Sequence, residues 1–232
     1  MDEPASPPVP IRPLTTKQER RLVDHLEERF LETTRQFKKR SDPSSTLRTL
    51  AAYVQTTRTL LSLILQIPPL DPSTPLRTSF LLRFTNDVVN AIPGYPAEAE
   101  TLPALLEWLD MLDRGWLAVL RQQSWDTARN EGVELVLPAE AGMKSSPPNM
   151  TDRTRLRSLL VTGTERLETW LEALNTETED YGEVLTRLGL QQAFDELFSR
   201  TLGEMGAFGG TEVHMTDLVD VADLVDEDEG ID

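Results

Sequence analysis

A catalytic site most often starts from a side chain that exchanges protons near neutrality, and this chain holds two histidines, His25 and His214. His25 stands between Asp24 and Leu26 in a charged amphipathic stretch, and His214 lies in the terminal segment, so both read as surface or boundary residues. Glu107, Asp110 and Asp113 recur in steps of three, which sets three carboxylates in a row on one helix face. Such a row holds a hard cation only when a loop or further ligands complete the shell, so a solvated face is the plainer reading. Gly203, Gly206, Gly209 and Gly210 are not followed by a Lys-Ser/Thr pair, and they mark a helix exit rather than a phosphate loop. The absence of cysteine removes thiolate catalysis, disulfides and cysteine-ligated zinc, and fits a reducing compartment. No catalytic residue, cofactor or metal site is expected. Trp108, Trp116 and Trp170 sit at helical spacing and read as core, whereas Trp125 falls in a loop, where an indole can anchor a partner.

The elements that would position these residues are helical. The stretch 60–84, LLSLILQIPPLDPSTPLRTSFLLRF, has two aliphatic runs separated by a double proline. Pro68 and Pro69 cannot donate backbone hydrogen bonds and stop the first run, and Thr74-Pro75 restarts the chain as a cap followed by proline in the first turn. This predicts a helix hairpin, with Leu61, Ile64, Leu81 and Phe84 buried against a further helix. A capping box at Thr16 and Glu19 opens a helix over 16–39, carrying Leu22, Leu26, Phe30, Thr33 and Phe37 at helical spacing. Further helices are predicted over 46–66, 75–91 and 102–121. A fifth is capped by Thr151 and bears Leu156, Leu160, Gly163, Leu167, Trp170 and Leu174, and Gly163 on that seam marks either a close helix crossing or a tolerated weak spot. Residues 180–205 form the last helical region, with Gly189 dividing it. The expected fold is all-α, a bundle of five to seven helices with a disordered N-terminal arm and an acidic C-terminal tail. Its parts are a proline-rich arm at 1–14, a bundle core at 15–121, a long flexible loop at 122–150, further helices of the same bundle at 151–208 and the tail at 209–232. A short strand at 133–137 is a minor alternative within the loop.

Charge is unevenly distributed. Residues 209–232 hold nine acidic side chains and no Lys or Arg, which leaves 30 acidic against 23 basic in the rest. An acidic body lacks the clustered cations that duplex nucleic acid requires, so direct nucleic-acid binding is not expected. No stretch approaches the ~20 apolar residues of a membrane span, and the N-terminus lacks the pattern of a signal peptide, so an intracellular, soluble protein is expected. Within the tail, Met215, Leu218, Val221, Ala222 and Val225 are spaced by threes and fours, with Asp217, Asp220 and Asp223 between them. That spacing describes an acidic amphipathic helix that would form on binding, either in a groove of a partner or on the protein's own bundle. The same charge also suits a plain solubilising tail.

The order RRLVDHLEERFLETTRQFKKR, then LAAYVQTTRTLLSLILQIPPLDPSTPLRTSFLLRFTNDVVNAIPGYP, then LLEWLDMLDRGWLAVL resembles a fungal accessory subunit of the transcription factor TFIIH, its eleventh subunit (the Tfb-six family). The resemblance covers about 15–121 and, more loosely, 152–174. It implies an all-α nuclear protein without enzymatic activity, associated with release of the XPB-type DNA translocase from TFIIH and so with transcription initiation. It implies protein partners among the TFIIH subunits, the translocase included, and no membrane. A cytoplasmic pool and the oligomeric state stay open. An acidic chaperone for a basic client, such as a histone or ribosomal protein, is the alternative reading, and a small helical enzyme without a recognisable motif is a third.

Overall fold

The computed structural model describes residues 12–135, 143–176 and 179–207. Its architecture is an all-α bundle: α1 (Thr16–Lys38), α2 (Leu50–Leu65), α3 (Thr74–Ala91), α4 (Leu102–Leu120), α5 (Met150–Leu171), α6 (Tyr181–Arg187), α7 (Gln191–Asp195) and α8 (Ser199–Ala207). A two-stranded antiparallel hairpin, β1 (Ser124–Asp126) and β2 (Glu131–Val133), joins α4 to the segment before α5. Residues 1–11 of the expected arm at 1–14 and the whole of the expected tail at 209–232 lie outside the described residues, and with them Met215, Asp217, Leu218, Asp220, Val221 and Val225.

α4 is the axis of the molecule. α2, α3, α8 and the hairpin pack on it, α5 packs against α3, and α1 packs on α2. The hairpin predicted around the double proline is central to this arrangement, and Leu61, Ile64, Leu81 and Phe84 are all buried in one continuous core. Trp108, Trp116 and Trp170 are buried as expected, with the Trp116 Nε1 donating to Thr85 Oγ1 at 2.9 Å and the Trp170 Nε1 to the Tyr95 carbonyl at 2.8 Å. Among the described residues no helix is long and apolar enough to cross a membrane.

Two glycines set the spacing of the bundle. A Cβ built on Gly163 of α5 would meet Val89 Cγ1 at 3.0 Å, so α3 and α5 cross closely there. A Cβ on Gly115 of α4 would meet Leu65 Cδ1 at 2.9 Å, a close approach to α2 that no periodic signal announces.

Helix boundaries shift by a few residues for local reasons. Thr15, not Thr16, caps α1: Gln18 N–H donates to Thr15 Oγ1 at 3.3 Å and Thr15 N–H donates to Gln18 Oε1 at 2.9 Å. Successive threonines offer overlapping capping boxes, and the earlier one wins. α2 begins at Leu50 rather than 46 because residues 45–47 are tied to the end of α1. Ser45 Oγ donates to the Gln36 carbonyl at 2.8 Å and Thr46 N–H to Gln36 Oε1 at 3.0 Å, so Thr49 becomes the cap. Thr74 lies inside α3 and Ser73 is its N-cap, yet Ser73 makes no side-chain cap, since its hydroxyl accepts from Leu14 N–H at 2.9 Å. Asn149, not Thr151, caps α5 through a bond from Asp152 N–H at 2.9 Å.

The segment 122–150 is not an unbroken loop. α4 closes with Gln122 at φ 60°, where Gln123 N–H donates to the Ala118 carbonyl at 2.8 Å and Gln122 N–H to the Val119 carbonyl at 3.2 Å, the paired bonds of a Schellman ending. The chain then enters β1, turns with Asp126 Oδ1 accepting from Ala128 N–H at 2.8 Å, and returns as β2 at 131–133, earlier than the strand considered at 133–137. This corrects the reading of Trp125. Its indole is held by β1 against α4 and is buried in the core, so it offers no exposed anchor for a partner.

Candidate interaction surface

The acidic row is solvated at one end and buried at the other. Glu107 is exposed, Asp110 is half exposed, and the Asp113 side chain is only 2% exposed. Asp113 sits where α8 lands on α4. Its Oδ1 accepts from Thr201 N–H at 3.1 Å, its Oδ2 faces Arg200 Nη1 at 3.3 Å, and its main-chain carbonyl accepts from Thr201 Oγ1 at 3.1 Å. Thr201 N–H is an orphan donor of the first turn of α8, so a carboxylate from another helix supplies the missing cap. Burial pushes the Asp113 carboxyl above the usual carboxylate range, against the bonds from Thr201 and the charge of Arg200. Asp110 completes the network through Arg200 at 2.5 Å and Arg114 at 2.7 Å. Among the described residues no group of His, Asp or Glu is placed to hold a metal ion. Asp110 and Asp113 fasten α8 to α4, and Glu107 meets Arg58 of α2 at 3.3 Å. His25 is exposed and is no part of this network, and His214 lies outside the described residues.

A different surface carries shape suited to binding. Between α1, α2 and α3 runs a cleft of about 210 Å³. Its wall on α1 is Phe30, Thr33, Thr34 and Phe37, and its floor is formed by Tyr53, Thr57 and Leu60 of α2 with Phe84, Val88 and Ala91 of α3. The α1 sequence FLETTRQF explains the opening: two small residues stand between two phenylalanines on one helix face, leaving a gap in the stripe. Rings line it closely, with Phe30 stacked on Phe80 at 6.0 Å between centroids and Phe37 tilted against Tyr53 at 5.9 Å.

Polar bonds at three points hold α1 over this cleft. Leu14 N–H donates to Ser73 Oγ just before the helix, Arg83 Nη1 reaches Glu27 Oε1 at 2.6 Å midway, and Arg40 Nε donates to the Gly94 carbonyl at 2.7 Å beyond its end. Arg40 also lies over the Phe37 ring at 4.5 Å, and Arg83 over Phe30 at 4.3 Å.

The charge at the rim is acidic on the α3 side. Burial pushes the Asp87 carboxyl up, partly offset by the Asn86 amide and by Arg83. The Tyr53 phenol is pushed well up, first by burial and then by the Asp87 charge, which places both groups on the same space. Lys38 lines the α1 side, so a ligand that suits this surface presents an apolar side chain with a basic or N–H donor towards Asp87 and an acceptor towards Lys38. The sequence located Phe30 and Phe37 on a buried face but not the gap between them; the Thr33-Thr34 pair was the available signal.

Comparison with protein-family profiles, with curated proteins and with solved structures finds no match.

Proposed function

We propose that this protein is a non-catalytic interaction subunit that receives an amphipathic helix of a partner in the α1–α3 cleft, and that the partner belongs to TFIIH. The cleft carries the first half of this reading: an apolar, ring-lined opening with Asp87 and Lys38 in its lining fits a helix that presents one large apolar side chain between a basic and an acidic residue. The second half rests on the resemblance of residues 15–121 to the fungal TFIIH subunit. It brings with it a nuclear location and an action on the XPB-type translocase through binding rather than chemistry.

The test is affinity capture from fungal nuclear extract with mass spectrometry, using the wild type and Thr34→Trp. Thr34 is exposed on the cleft wall, so the indole fills the opening without entering the core. Wild type is expected to recover TFIIH subunits and the variant to lose them. Recovery of histones or ribosomal proteins without TFIIH subunits overturns the TFIIH reading, and undiminished capture by Thr34→Trp overturns the cleft. The nine acidic residues of 209–232 favour the chaperone reading as the competitor. Deleting 209–232 separates the two, since a cleft-bound partner is retained and a polyanion-bound client is lost.

A further inference from the structure

α3 carries two arginines with opposite fates. Arg83 is at the surface and pairs with Glu27, whereas Arg77 is 1% exposed. A fully buried guanidinium is ordinarily matched by a carboxylate, because an unpaired charge in a low-dielectric interior is costly. Arg77 has no such match. Its Nη1 donates to the Gln123 carbonyl at 2.7 Å, and among the described residues no ion pair joins it to an acid. Burial alone lowers its pKa, to about 10, with no neighbouring charge opposing the shift. Nε and Nη2 are buried and have no hydrogen-bond partner among the described residues. Those two N–H groups share one edge of the planar guanidinium, and that edge is the fork that accepts both oxygens of a carboxylate or phosphate group.

The surroundings extend the same shortage of acceptors. Thr74, three residues before Arg77 on the same helical face, also has a buried hydroxyl without a partner. Side chains on a helix lean towards its N-terminus, so Arg77 is directed back over Thr74 and the first turn of α3. That turn has no side-chain cap, and its dipole favours negative charge. Gln123 brings in β1, where the Trp125 Nε1 is buried and unpartnered. The bond from Asp71 N–H to the Lys144 carbonyl at 2.9 Å brings in the strap at 143–149, where Ser145 Oγ is also buried and unpartnered. The carboxylate nearest in sequence, Asp71, is engaged by Ser146 Oγ at 2.6 Å. A cation would face Arg77, and an apolar molecule would leave every donor unpaired.

We propose that the N-terminal end of α3 is a binding site for a small oxyanion, held by the Nε/Nη2 edge of Arg77 with the Thr74 hydroxyl as a further donor. The site is separate from the cleft, and its test does not depend on the partner reading. Thermal unfolding of the full chain is followed with sulfate, phosphate, acetate or chloride at one ionic strength, for wild type, Arg77→Lys and Arg77→Met. Sulfate or phosphate, or else acetate, is expected to raise the wild-type Tm along a saturating curve, by about 5 °C or more at a hundredfold excess over Kd, and chloride is not. Which class acts identifies a tetrahedral or a planar ligand. Arg77→Lys keeps the charge without the fork and is expected to weaken the response at least tenfold in concentration, and Arg77→Met to abolish it. The arginine Nε–H resonances of the wild type, recorded by NMR during the same titration, give a reading that survives if the variants fail to fold; one protected resonance is expected to move to saturation. A response that persists undiminished in Arg77→Met overturns the site. So does a wild type whose Tm and Nε–H resonances respond equally to all four anions.

Discussion

Asp113 is a buried carboxylate that caps a helix it does not belong to, and its removal separates the value of the acceptor from the value of the charge. Asp113→Ala strands the buried Thr201 N–H and leaves Arg200 with Asp110 alone. An unsatisfied buried donor costs about 1–3 kcal/mol and a lost cap lies in the same range, so this variant is expected to lose about 2–3 kcal/mol. Asp113→Asn keeps an oxygen for Thr201 and gives up only the charge. Because burial raises the carboxyl above its ordinary value, the folded state holds the Asp113 proton more tightly than the unfolded chain does. Ionisation of Asp113 therefore works against folding. Its contribution is most favourable below the unfolded value near ~3.9 and declines as pH rises through the folded value. Asn mimics the protonated acid, so at pH 7 the variant is expected to lie within about 1 kcal/mol of wild type and to gain on it as pH rises from acid to neutral. Urea unfolding followed by tryptophan fluorescence at acidic, intermediate and neutral pH reads both quantities. If Asp113→Asn is as damaging as Asp113→Ala at neutral pH, and recovers on acidification, the charge itself holds α8 and the argument from burial is wrong.

The α3–α5 crossing predicts coupling between Gly163 and Val89. Gly163→Ala gains about 1 kcal/mol of helix propensity but places a methyl at 3.0 Å from Val89 Cγ1, so in a double-mutant cycle it is expected to be better tolerated by at least ~0.5 kcal/mol when Val89→Ala is also present. Additive effects would mean that the helices separate freely and that the glycine sets no spacing. Leu61 is fully buried at the centre of the α2–α3–α4 packing, so Leu61→Ala is expected to cost about 2–5 kcal/mol and Leu61→Asp to prevent stable folding. A Leu61→Asp variant that melts like wild type but loses a partner would show that the stripe is a binding face.

The five long helices were legible because each carries apolar residues every three or four positions over four or more turns, a signal that tertiary packing reinforces. The last helical region was legible as a region, and Gly189, at φ 68°, does divide α6 from α7. Strands of three residues fall below any periodicity, so the hairpin was read as loop and Trp125 with it. Asp113 shows a different limit. Its spacing from Glu107 and Asp110 places all three on one side of α4, but only the return of α8, some ninety residues later in the chain, decides which of them loses contact with water. Arg77 and Arg83 are likewise alike in sequence, and the landing of β1 and of the strap at 143–149 tells them apart. The cleft escaped notice because periodicity records which residues are apolar and not how large they are: Thr33 and Thr34 fit the pattern while failing to fill the space.

The three bonds that hold α1 make the cleft behave as a jaw of preset gauge. Its width is set by the bonds of α1 to Ser73, Arg83 and Gly94 together with the packing of Phe30 on Phe80 and of Phe37 on Tyr53, before any partner arrives. A guest therefore finds the opening already formed, and little of the interaction energy goes into ordering the host. The same rigidity makes the jaw a filter. A side chain too small leaves the ring walls unfilled, and one too large must break a polar bond at one of the pins. Discrimination between partners thus resides in residues that no partner needs to touch.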